Sequence, residues 1–452
     1  MHRVLIVFLL AGTMLMFGGG LSVGATPTLI LYGGTVVPMT NEDEVHEAIA
    51  IDGDSILAVG SSEEILLLAG GSTKLVNLDG RAVFPGFIDP HTHLFDGAGQ
   101  QGMTLAEVQQ MAVENGITTA ANMHTTTRNI DNYISFAEGG GMRFRYYLYL
   151  THTNSCGEIE GFWYEKYEPK AEIAPGLYMG GVKLFVERSV CRGGGIFGGA
   201  ILNFSDELRQ SLPEKGMEMW GNAWLIHTRD ELAAILERVQ LHGYQAAIHA
   251  IGDLAVETCL DAYEQVLDGQ PNDLRHMILH NFFLRDDLLP RYSELGVVAL
   301  VEMTSPQTTE LYSGYVGEDN LKYLRRWADL VATGAHVAID SDWSGFPISP
   351  IDKLRAFVGG ENTDPGLASF GPCAERVPQT VTAWQAMRMM TVEPALALHV
   401  EEQLGTLERG KLADIVVLSE SPLSIAPARL GELRIELTVI DGRIEWDSMG
   451  AS

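Results

Sequence analysis

Residues 84–95 read FPGFIDPHTHLF, an apolar run that ends in His91 and His93. If this run is a β-strand, a spacing of two residues places both imidazoles on the same face. Two neutral imidazoles on one face form a ligand pair for a divalent metal. A His-x-His pattern alone is weak evidence, because a structural pair of histidines would satisfy it equally well. The pattern therefore has to be judged by the sequence around it.

The stretch opens a long region, from residue 84 to about residue 400, in which apolar strand-like runs alternate with helical segments. Helical periodicity is clear between several runs, as in RDELAAILERVQLHG (229–243). Eight apolar strands separated by helices predict a parallel sheet closed into a TIM (β/α)8 barrel. A doubly wound α/β fold is the alternative. The candidate strands cover residues 82–93, 116–125, 144–152, 180–187, 244–253, 275–281, 296–304 and 336–343.

Both ends of the chain have a different texture, with short β-rich runs separated by turn residues. In residues 28–83 the turns are Gly-Gly, Asp-Gly-Asp and Asp-Gly-Arg. The same pattern returns in GTLERGKLADIVVLS (405–419) and IELTVIDGRIEW (435–446). The sequence thus predicts a small β-sandwich-like domain assembled from residues 26–84 and 402–452, and a barrel formed by residues 85–401.

Ionisable residues end several of the candidate barrel strands. Catalytic groups of TIM barrels lie at the carboxyl ends of the strands, where the βα loops form the mouth. A lysine inside an otherwise apolar strand is expensive to bury unpaired, so it requires a partner or a modification. With the first two histidines, these strand-end residues predict a metal site. They are Lys183, His249, His280 and Asp342.

Several neighbouring residues are ambiguous. His276 precedes a candidate ligand by four residues and is expected to be a core histidine. Asp340 is an alternative for the catalytic carboxylate, because it lies two residues before Asp342. His336 is expected to be structural. Two further histidines could contact substrate or belong to surface loops, namely His124 and His152.

The order of these residues resembles the amidohydrolase superfamily. The segments FPGFIDPHTH, GGVKLF, IHAIGD, SDW and GTLERGKLADIVVL are most similar to the branch called amidohydrolase family 3, which includes N-substituted formamide deformylases. The resemblance implies two divalent metals, zinc or alternatively manganese, iron or cobalt, bridged by a carboxylated lysine. The residues carried over are His91, His93 and Asp342 for the first metal, Lys183 for the bridge, and His249 and His280 for the second metal.

The resemblance also implies a reaction. A hydroxide shared by the two metals would attack a carbonyl that one metal polarises, and Asp342 would carry the proton to the leaving group. The implied function is hydrolysis of a carbon–nitrogen bond in a non-peptide amide, N-acyl or N-formyl compound. Two differences from the family's sequence pattern limit what can be inferred about the substrate. Glu187 and Arg188 stand where Asp-Gly is expected, and the stretch between the first two strands is short.

Two other functions remain open. An exported dipeptidase or acyl-amino-acid peptidase of the same superfamily would need a cation for the substrate carboxylate, and Arg188 and Arg192 are generic candidates. A metal-free barrel that serves as a binding or scaffold protein is the second alternative. The presence of Lys183 and Asp342 argues against it, because such a protein has little use for a buried lysine beside a carboxylate.

Composition and the amino terminus bear on partners and location. With 59 acidic and 30 basic residues the formal net charge is −29, which disfavours nucleic acid as a partner. Residues 1–25 combine Arg3, an apolar run and the pattern Val23-Gly24-Ala25, which predicts a cleaved signal peptide and a secreted or periplasmic protein. No stable membrane insertion is expected after cleavage. A small molecule is the expected substrate, and a homo-oligomer is an open alternative.

The chain has four cysteines, and export permits disulfides between them. Cys156 with Cys191 is the favoured pair. Cys259 is expected to pack a helix against the core.

Overall fold

The computed structural model describes residues 26–189, 225–303, 318–359 and 379–450. The described chain begins with short strands and one short helix, α1 (Ser62–Leu66). The turns between the strands use glycine and aspartate, as at Asp79 and Gly80, which both have a left-handed backbone. These strands are β1 (Leu29–Val36), β2 (His46–Asp52), β3 (Ser55–Gly60), β4 (Lys74–Asn77) and β5 (Ala82–Pro85).

A sheet of parallel strands follows, with its strands in the order of the chain. Short β9 pairs antiparallel with β10 at the edge of this arrangement. The strands are β6 (Phe87–Thr92), β7 (Ile117–Thr125), β8 (Arg145–Thr151), β9 (Glu172–Ala174), β10 (Leu177–Phe185), β11 (Gln245–Ala250), β12 (Met277–His280), β13 (Val298–Glu302) and β14 (Val337–Asp340).

The sheet closes between β6 and β14 through hydrogen bonds just beyond the end of β14. The amide of Asp342 donates to the carbonyl of His91 at 2.9 Å, and the amide of His93 donates to the carbonyl of Trp343 at 2.6 Å. The amide of Ser341 donates to Asp89 Oδ1 at 3.0 Å. The eight parallel strands thus form a nearly closed barrel, which confirms the predicted TIM-like α/β fold.

Helices cover the outside of the barrel. Side-chain caps mark three of their starts, since Thr104, Thr228 and Thr382 each form a capping box with a glutamate or glutamine three residues later. The helices are α2 (Leu94–Gly97), α3 (Leu105–Glu114), α4 (Ile130–Glu138), α5 (Arg229–Leu241), α6 (Asp253–Leu267), α7 (Leu289–Leu295), α8 (Trp327–Ala332), α9 (Pro350–Gly359), α10 (Ala383–Met390) and α11 (Val392–Ala397). Single 3₁₀ turns cover Ala98–Gln101, Trp163–Lys166, Glu318–Tyr323 and Pro427–Glu432. Among the described residues, no helix has the length and apolar character needed to span a bilayer.

The interior of the barrel is filled near the amino ends of its strands. Apolar side chains there, among them Ala247, Met277 and Val298, form one buried cluster with Leu398 and Leu404, which follow α11. The side chain of Gln245 ties the start of β11 to the carbonyl of Ala397 at 2.8 Å. Because this end is filled, a cavity can open only at the carboxyl ends of the strands.

The two ends of the chain share a second sheet. It has eight strands in the order β17-β16-β15-β5-β1-β2-β3, with β4 beside β1. Its carboxyl-terminal members are β15 (Ile415–Leu418), β16 (Ile435–Ile440) and β17 (Arg443–Asp447). Buried aliphatic residues from both ends form its core. The additional sheet domain expected from the sequence is therefore present; its exact limits remain a prediction.

Candidate metal centre

A cavity of about 310 Å³ opens at the carboxyl ends of the barrel strands. The structure brings all the sequence-predicted ligands to this one cavity. The six ligands lie on or next to five different strands, β6, β10, β11, β12 and β14, which is why distant parts of the sequence meet here. The residues that line the cavity include His91, His93, Lys183, His249, His280 and Asp342.

Asp342 is the centre of the first group of ligands. Its Oδ1 lies 3.3 Å from His91 Nε2 and 3.2 Å from His93 Nε2. Burial opposes ionisation of Asp342, but the neighbouring imidazoles outweigh burial and hold the pKa of this carboxyl below its usual range. Asp342 is therefore an ionised carboxylate at neutral pH, able to accept a proton or to bind a cation.

His93 lies between two carboxylates. Its Nδ1 is 2.9 Å from Asp96 Oδ2, and its Nε2 faces Asp342. Burial lowers the pKa of His93, but Asp96 and Asp342 outweigh burial and raise it to about 10. A metal bound at Nε2 would have to displace a proton from this ring.

Lys183 is fully buried near the end of β10, and its Nζ has no hydrogen-bond partner among the described residues. The ammonium lies 4.7 Å from the centre of the Phe185 ring. Burial lowers the pKa of Lys183 to about 7, although nearby carboxylates, Asp342 first, oppose the shift. A buried amine of this kind is partly neutral at physiological pH.

His249 and His280 form the second group. Their ring centres are 4.3 Å apart, and the His280 ring is 5.1 Å from the His91 ring. Burial lowers the pKa of both imidazoles, that of His280 to about 3. Neutral imidazole is the form that binds metals.

The two groups are not separated in space. The ligand atoms of His91, His280 and Asp342 all lie within 4.8 Å of one another, although the first and second of these residues were assigned to different metals. Nε2 of His249, both ring nitrogens of His91 and Nζ of Lys183 are buried without a hydrogen-bond partner among the described residues. Buried polar atoms without partners are costly, and a bound cation would satisfy those that face the cavity.

Two ligands have a left-handed backbone, with φ of 76° at His280 and 43° at Asp342. Such values are uncommon for residues other than glycine and occur often at functional sites. After His280 the turn continues through Asn281, whose buried amide donates to the carbonyls of Ile278 and Leu300, both at 2.9 Å. Asn281 Oδ1 also accepts a hydrogen bond from the Tyr292 hydroxyl. These bonds hold the strained turn in place.

Sequence reasoning missed two carboxylates of the site. Glu302 ends β13, and its Oε1 is 2.7 Å from His280 Nδ1. Asp96 lies three residues beyond His93 in the first turn of α2 and contacts both His93 and, at 3.6 Å, His124 Nδ1. The signal for Glu302 was available, because it is an acidic residue at the end of an apolar strand, as Asp342 is.

The residues whose roles the sequence left open lie at different positions relative to the cavity. Asp340 is buried below the cavity, 3.6 Å from His91 Nδ1. His124 lines the cavity. His276 faces the helix layer, where it stacks on Tyr263 and accepts a hydrogen bond from the amide of Ala246 at 2.9 Å.

The other histidines lie away from the cavity. His336 pairs with Glu393 at the surface. His152 is buried in a chain of hydrogen bonds with Thr153 and His227 and is not among the described residues that line the cavity.

Glu187, which stands with Arg188 where the resemblance predicts Asp-Gly, stabilises a loop. Its carboxylate is fully buried and accepts hydrogen bonds from the amides of Ile251 and Gly252. It also lies 3.8 Å from His249 Nε2. Glu187 thereby holds the loop that follows β11.

The cysteine predictions are only partly within the described residues. Cys156 forms a disulfide, and Cys259 is free and buried in α6. Cys191, the favoured partner of Cys156, lies outside the described residues, as does Arg192.

Comparison with known proteins places these observations in a family. A model of the amidohydrolase family matches residues 100–444. YtcJ of Bacillus subtilis, a protein named as an amidohydrolase, is 26% identical over 321 residues, which cover 70% of this chain and 54% of YtcJ. The N-substituted formamide deformylase of Arthrobacter pascens is 28% identical over 231 residues, which cover 50% of this chain and 41% of that enzyme. This chain therefore spans about half the length of these curated relatives.

A solved structure shares the fold. It is an uncharacterised metal-dependent hydrolase from Pyrococcus furiosus, with a TM-score of 0.70 and 19% sequence identity. The likeness covers 88% of this chain and 100% of the solved chain. The match extends over both the barrel and the second sheet, since neither alone accounts for that share of the chain.

Proposed function

We propose that this chain, which belongs to the amidohydrolase family, is a metal-dependent hydrolase that cleaves the carbon–nitrogen bond of a non-peptide amide. N-acyl and N-formyl compounds are the substrate classes we favour. The observation that carries the proposal is the convergence of imidazoles, a carboxylate and a buried lysine on one cavity at the mouth of the barrel.

The donor atoms fit divalent metals. Imidazole nitrogen and carboxylate oxygen both suit Zn²⁺, and several of these atoms are buried without other partners. We assign His91, His93 and Asp342 to one metal, and His249 and His280 to a second. Metals bound there would polarise the scissile carbonyl and lower the pKa of a water molecule.

Lys183 is proposed to bridge the two metals after carboxylation. Its lowered pKa of about 7 leaves a neutral amine that can attack carbon dioxide, which forms an N–C bond and releases one proton. The product replaces the buried amine with an anion that has two oxygen donors. Burial among four imidazoles then becomes favourable rather than costly.

Asp342 is proposed to move the proton of the reaction. It is ionised, it lines the cavity, and its carboxylate is held by His91 and His93. A carboxylate in this position can accept a proton from the attacking water and donate it to the leaving nitrogen. Asp340 is less suited, because it is fully buried and does not belong to the described cavity lining.

The described walls favour an uncharged substrate over a peptide. Besides the predicted ligands, the lining includes Phe185, Phe282 and Phe346, and no arginine is among the described residues that line the cavity. A dipeptidase would need a cation for the substrate carboxylate, and Arg188, a candidate for that role, is exposed. The name of the Arthrobacter relative, which acts on N-substituted formamides, agrees with an uncharged substrate. Export through a cleaved signal peptide at residues 1–25 remains part of the proposal.

Metal content of the purified protein tests this proposal first. We would measure divalent metals per chain by elemental analysis, without chelators and with bicarbonate present, and then assay N-formyl, N-acyl and dipeptide substrates. About two metals per chain with turnover of N-formyl or N-acyl amides would support the proposal. Turnover of dipeptides alone would favour the peptidase. A protein that binds no metal after reconstitution with zinc or manganese would be a binding or scaffold barrel.

A further inference from the structure

We infer that Glu302 is a positioning residue, whose carboxylate accepts the Nδ1 proton of His280 and thereby presents Nε2 of that ring to the metal. The inference rests on the proposed metal site and names a residue that the metal assignment leaves out. A neutral imidazole carries one proton, and the partner of one nitrogen decides which nitrogen stays free to bind metal.

The geometry fits this role. Glu302 Oε1 and His280 Nδ1 are 2.7 Å apart, and both side chains are almost completely buried. The two residues end neighbouring parallel strands, β13 and β12, so the bond joins two strand ends at the base of the cavity. No described residue other than Glu302 is within hydrogen-bond distance of His280 Nδ1.

His280 needs such a partner more than the other ligands do. Strand alternation would direct it toward the helix layer, on the same side as Ile278, which packs in the outer core. The left-handed backbone at His280 turns the ring into the cavity instead. A residue at the last position of a four-residue strand has little local structure to orient its ring, and the carboxylate of Glu302 supplies that orientation.

A purely stabilising role does not explain Glu302. Its Oε2 is buried without a hydrogen-bond partner among the described residues. Asp342 lines the same cavity, so the site holds a second acidic side chain as well. A buried, half-satisfied carboxylate lowers the stability of the metal-free protein, whereas a nearby metal cation would offset the charge.

The protein contains a matched control for this pair. Glu393 contacts His336 Nδ1 at 2.9 Å, so the same two side-chain types meet through the same ring nitrogen. This second pair lies at the surface, where Glu393 lines a different depression, away from the predicted ligands. Glu393 Oε1 also accepts a hydrogen bond from Arg388 at 2.9 Å. A change at Glu393 therefore reports what loss of a Glu–His bond, together with that arginine contact, does away from the proposed metals.

The experiment combines metal affinity with stability of the metal-free protein. Zinc affinity of the wild type, Glu302→Gln, Glu302→Ala and Glu393→Gln would be measured by competition with a chromophoric chelator. Urea unfolding of the same four proteins after metal removal would give their stability. Cobalt substitution adds a third readout, because the visible absorption of Co²⁺ reports ligand geometry.

We expect Glu302→Ala to bind zinc about 10- to 100-fold more weakly and Glu302→Gln to fall between it and the wild type. The metal-free Glu302→Gln protein should be as stable as the wild type or more so, since it loses a buried charge. The cobalt spectrum should change in both variants. Glu393→Gln should keep wild-type zinc affinity and spectrum.

Wild-type zinc affinity in both Glu302 variants would overturn the inference. So would a metal-free Glu302→Gln protein whose stability falls in step with its affinity, because that result identifies a structural residue. Failure of the wild type itself to bind metal would overturn the proposed function instead. The two failures are therefore distinguishable.

Discussion

At the scale of single residues, Asp342 is the side chain whose chemistry is tested most directly. Asp342→Asn keeps the size of the group but removes its ability to accept a proton, so kcat should fall by about 10²-fold or more. Steady-state kinetics on an N-formyl or N-acyl amide, with circular dichroism to verify folding, measures the effect. Unchanged turnover in this variant, together with lost turnover in Asp340→Asn, would transfer the role to Asp340.

Lys183 gives a second prediction at this scale. Lys183→Ala removes the proposed bridge, and the metal content should fall from about two ions per chain to one or fewer. Elemental analysis after reconstitution with zinc and bicarbonate provides the measurement. His276→Ala is the control, because His276 is a buried histidine that stacks on Tyr263 outside the cavity. This variant should bind as much metal as the wild type. Full metal content in Lys183→Ala would show that Lys183 is not a metal ligand.

Residue types and strand ends could be read from the sequence, but side-chain directions could not. His249 follows the alternation of β11, with Ile248 toward the helices and Ala247 in the barrel interior. His280 departs from the alternation of β12 through its left-handed backbone, which no periodicity predicts. Glu302 could have been singled out as an acidic residue at a strand end, but its contact with His280 of the neighbouring strand could not, because the strand order had to be known first.

At the scale of elements, the turn after β12 decides where a ligand points. Asn281→Ala removes two hydrogen bonds to buried carbonyls and the acceptor of the Tyr292 hydroxyl, and it places alanine at a φ of 56°. We expect the free energy of unfolding to fall by about 2 to 4 kcal/mol. Urea denaturation measures the loss, with Asn41→Ala at an exposed turn as the control. A loss as small as that of the control would show that the side-chain hydrogen bonds of Asn281 do not stabilise the turn.

Elements were predicted best where periodicity was strong. Each of the eight candidate strands overlaps an observed barrel strand, and the helical pattern after residue 228 matches α5. Boundaries were less accurate. The first strand ends at Thr92, so His93 precedes α2 and is placed by the barrel closure as much as by strand alternation.

At the scale of the whole molecule, one buried arginine joins the barrel to the second sheet. Arg145 at the start of β8 contacts Asp414 at 2.6 Å and also pairs with Asp441. Arg145→Met would leave the Asp414 carboxylate buried without its cation, which should lower the free energy of unfolding by about 3 to 5 kcal/mol. Arg434→Met, in a pair whose arginine is 70% exposed, should have little effect. Equal small losses in both variants would mean that the Arg145 contact contributes little to holding the two sheets together.

The sharing of one sheet by both ends of the chain was foreseen from matching turn chemistry, but the attachment of that sheet was not. Arg145 in the sequence is a single cation in a tyrosine-rich strand, and nothing nearby identifies partners that lie far away in the carboxyl-terminal segment. Long-range pairs of this kind follow from the topology rather than from local pattern.

The barrel is closed at the place where metal would bind. The amide of Asp342 donates to His91, and the amide of His93 donates to Trp343, so the first and last strands meet through backbone groups of the ligands themselves. A metal held by His91, His93 and Asp342 would act as a reversible cross-link between segments separated by more than half of the chain. Cross-links that close long loops restrict the unfolded chain most.

Chelation should therefore loosen this junction before it affects the rest of the barrel. Hydrogen–deuterium exchange should accelerate in peptides that contain His93 and Asp342, while peptides from β8, which carries none of the proposed ligands, exchange as before. Uniform exchange across all strands after metal removal would contradict this expectation. The metal proposed to take part in hydrolysis would then also stabilise the closure of the barrel. Metal depletion would shorten the lifetime of the folded protein as well as lower the rate of hydrolysis.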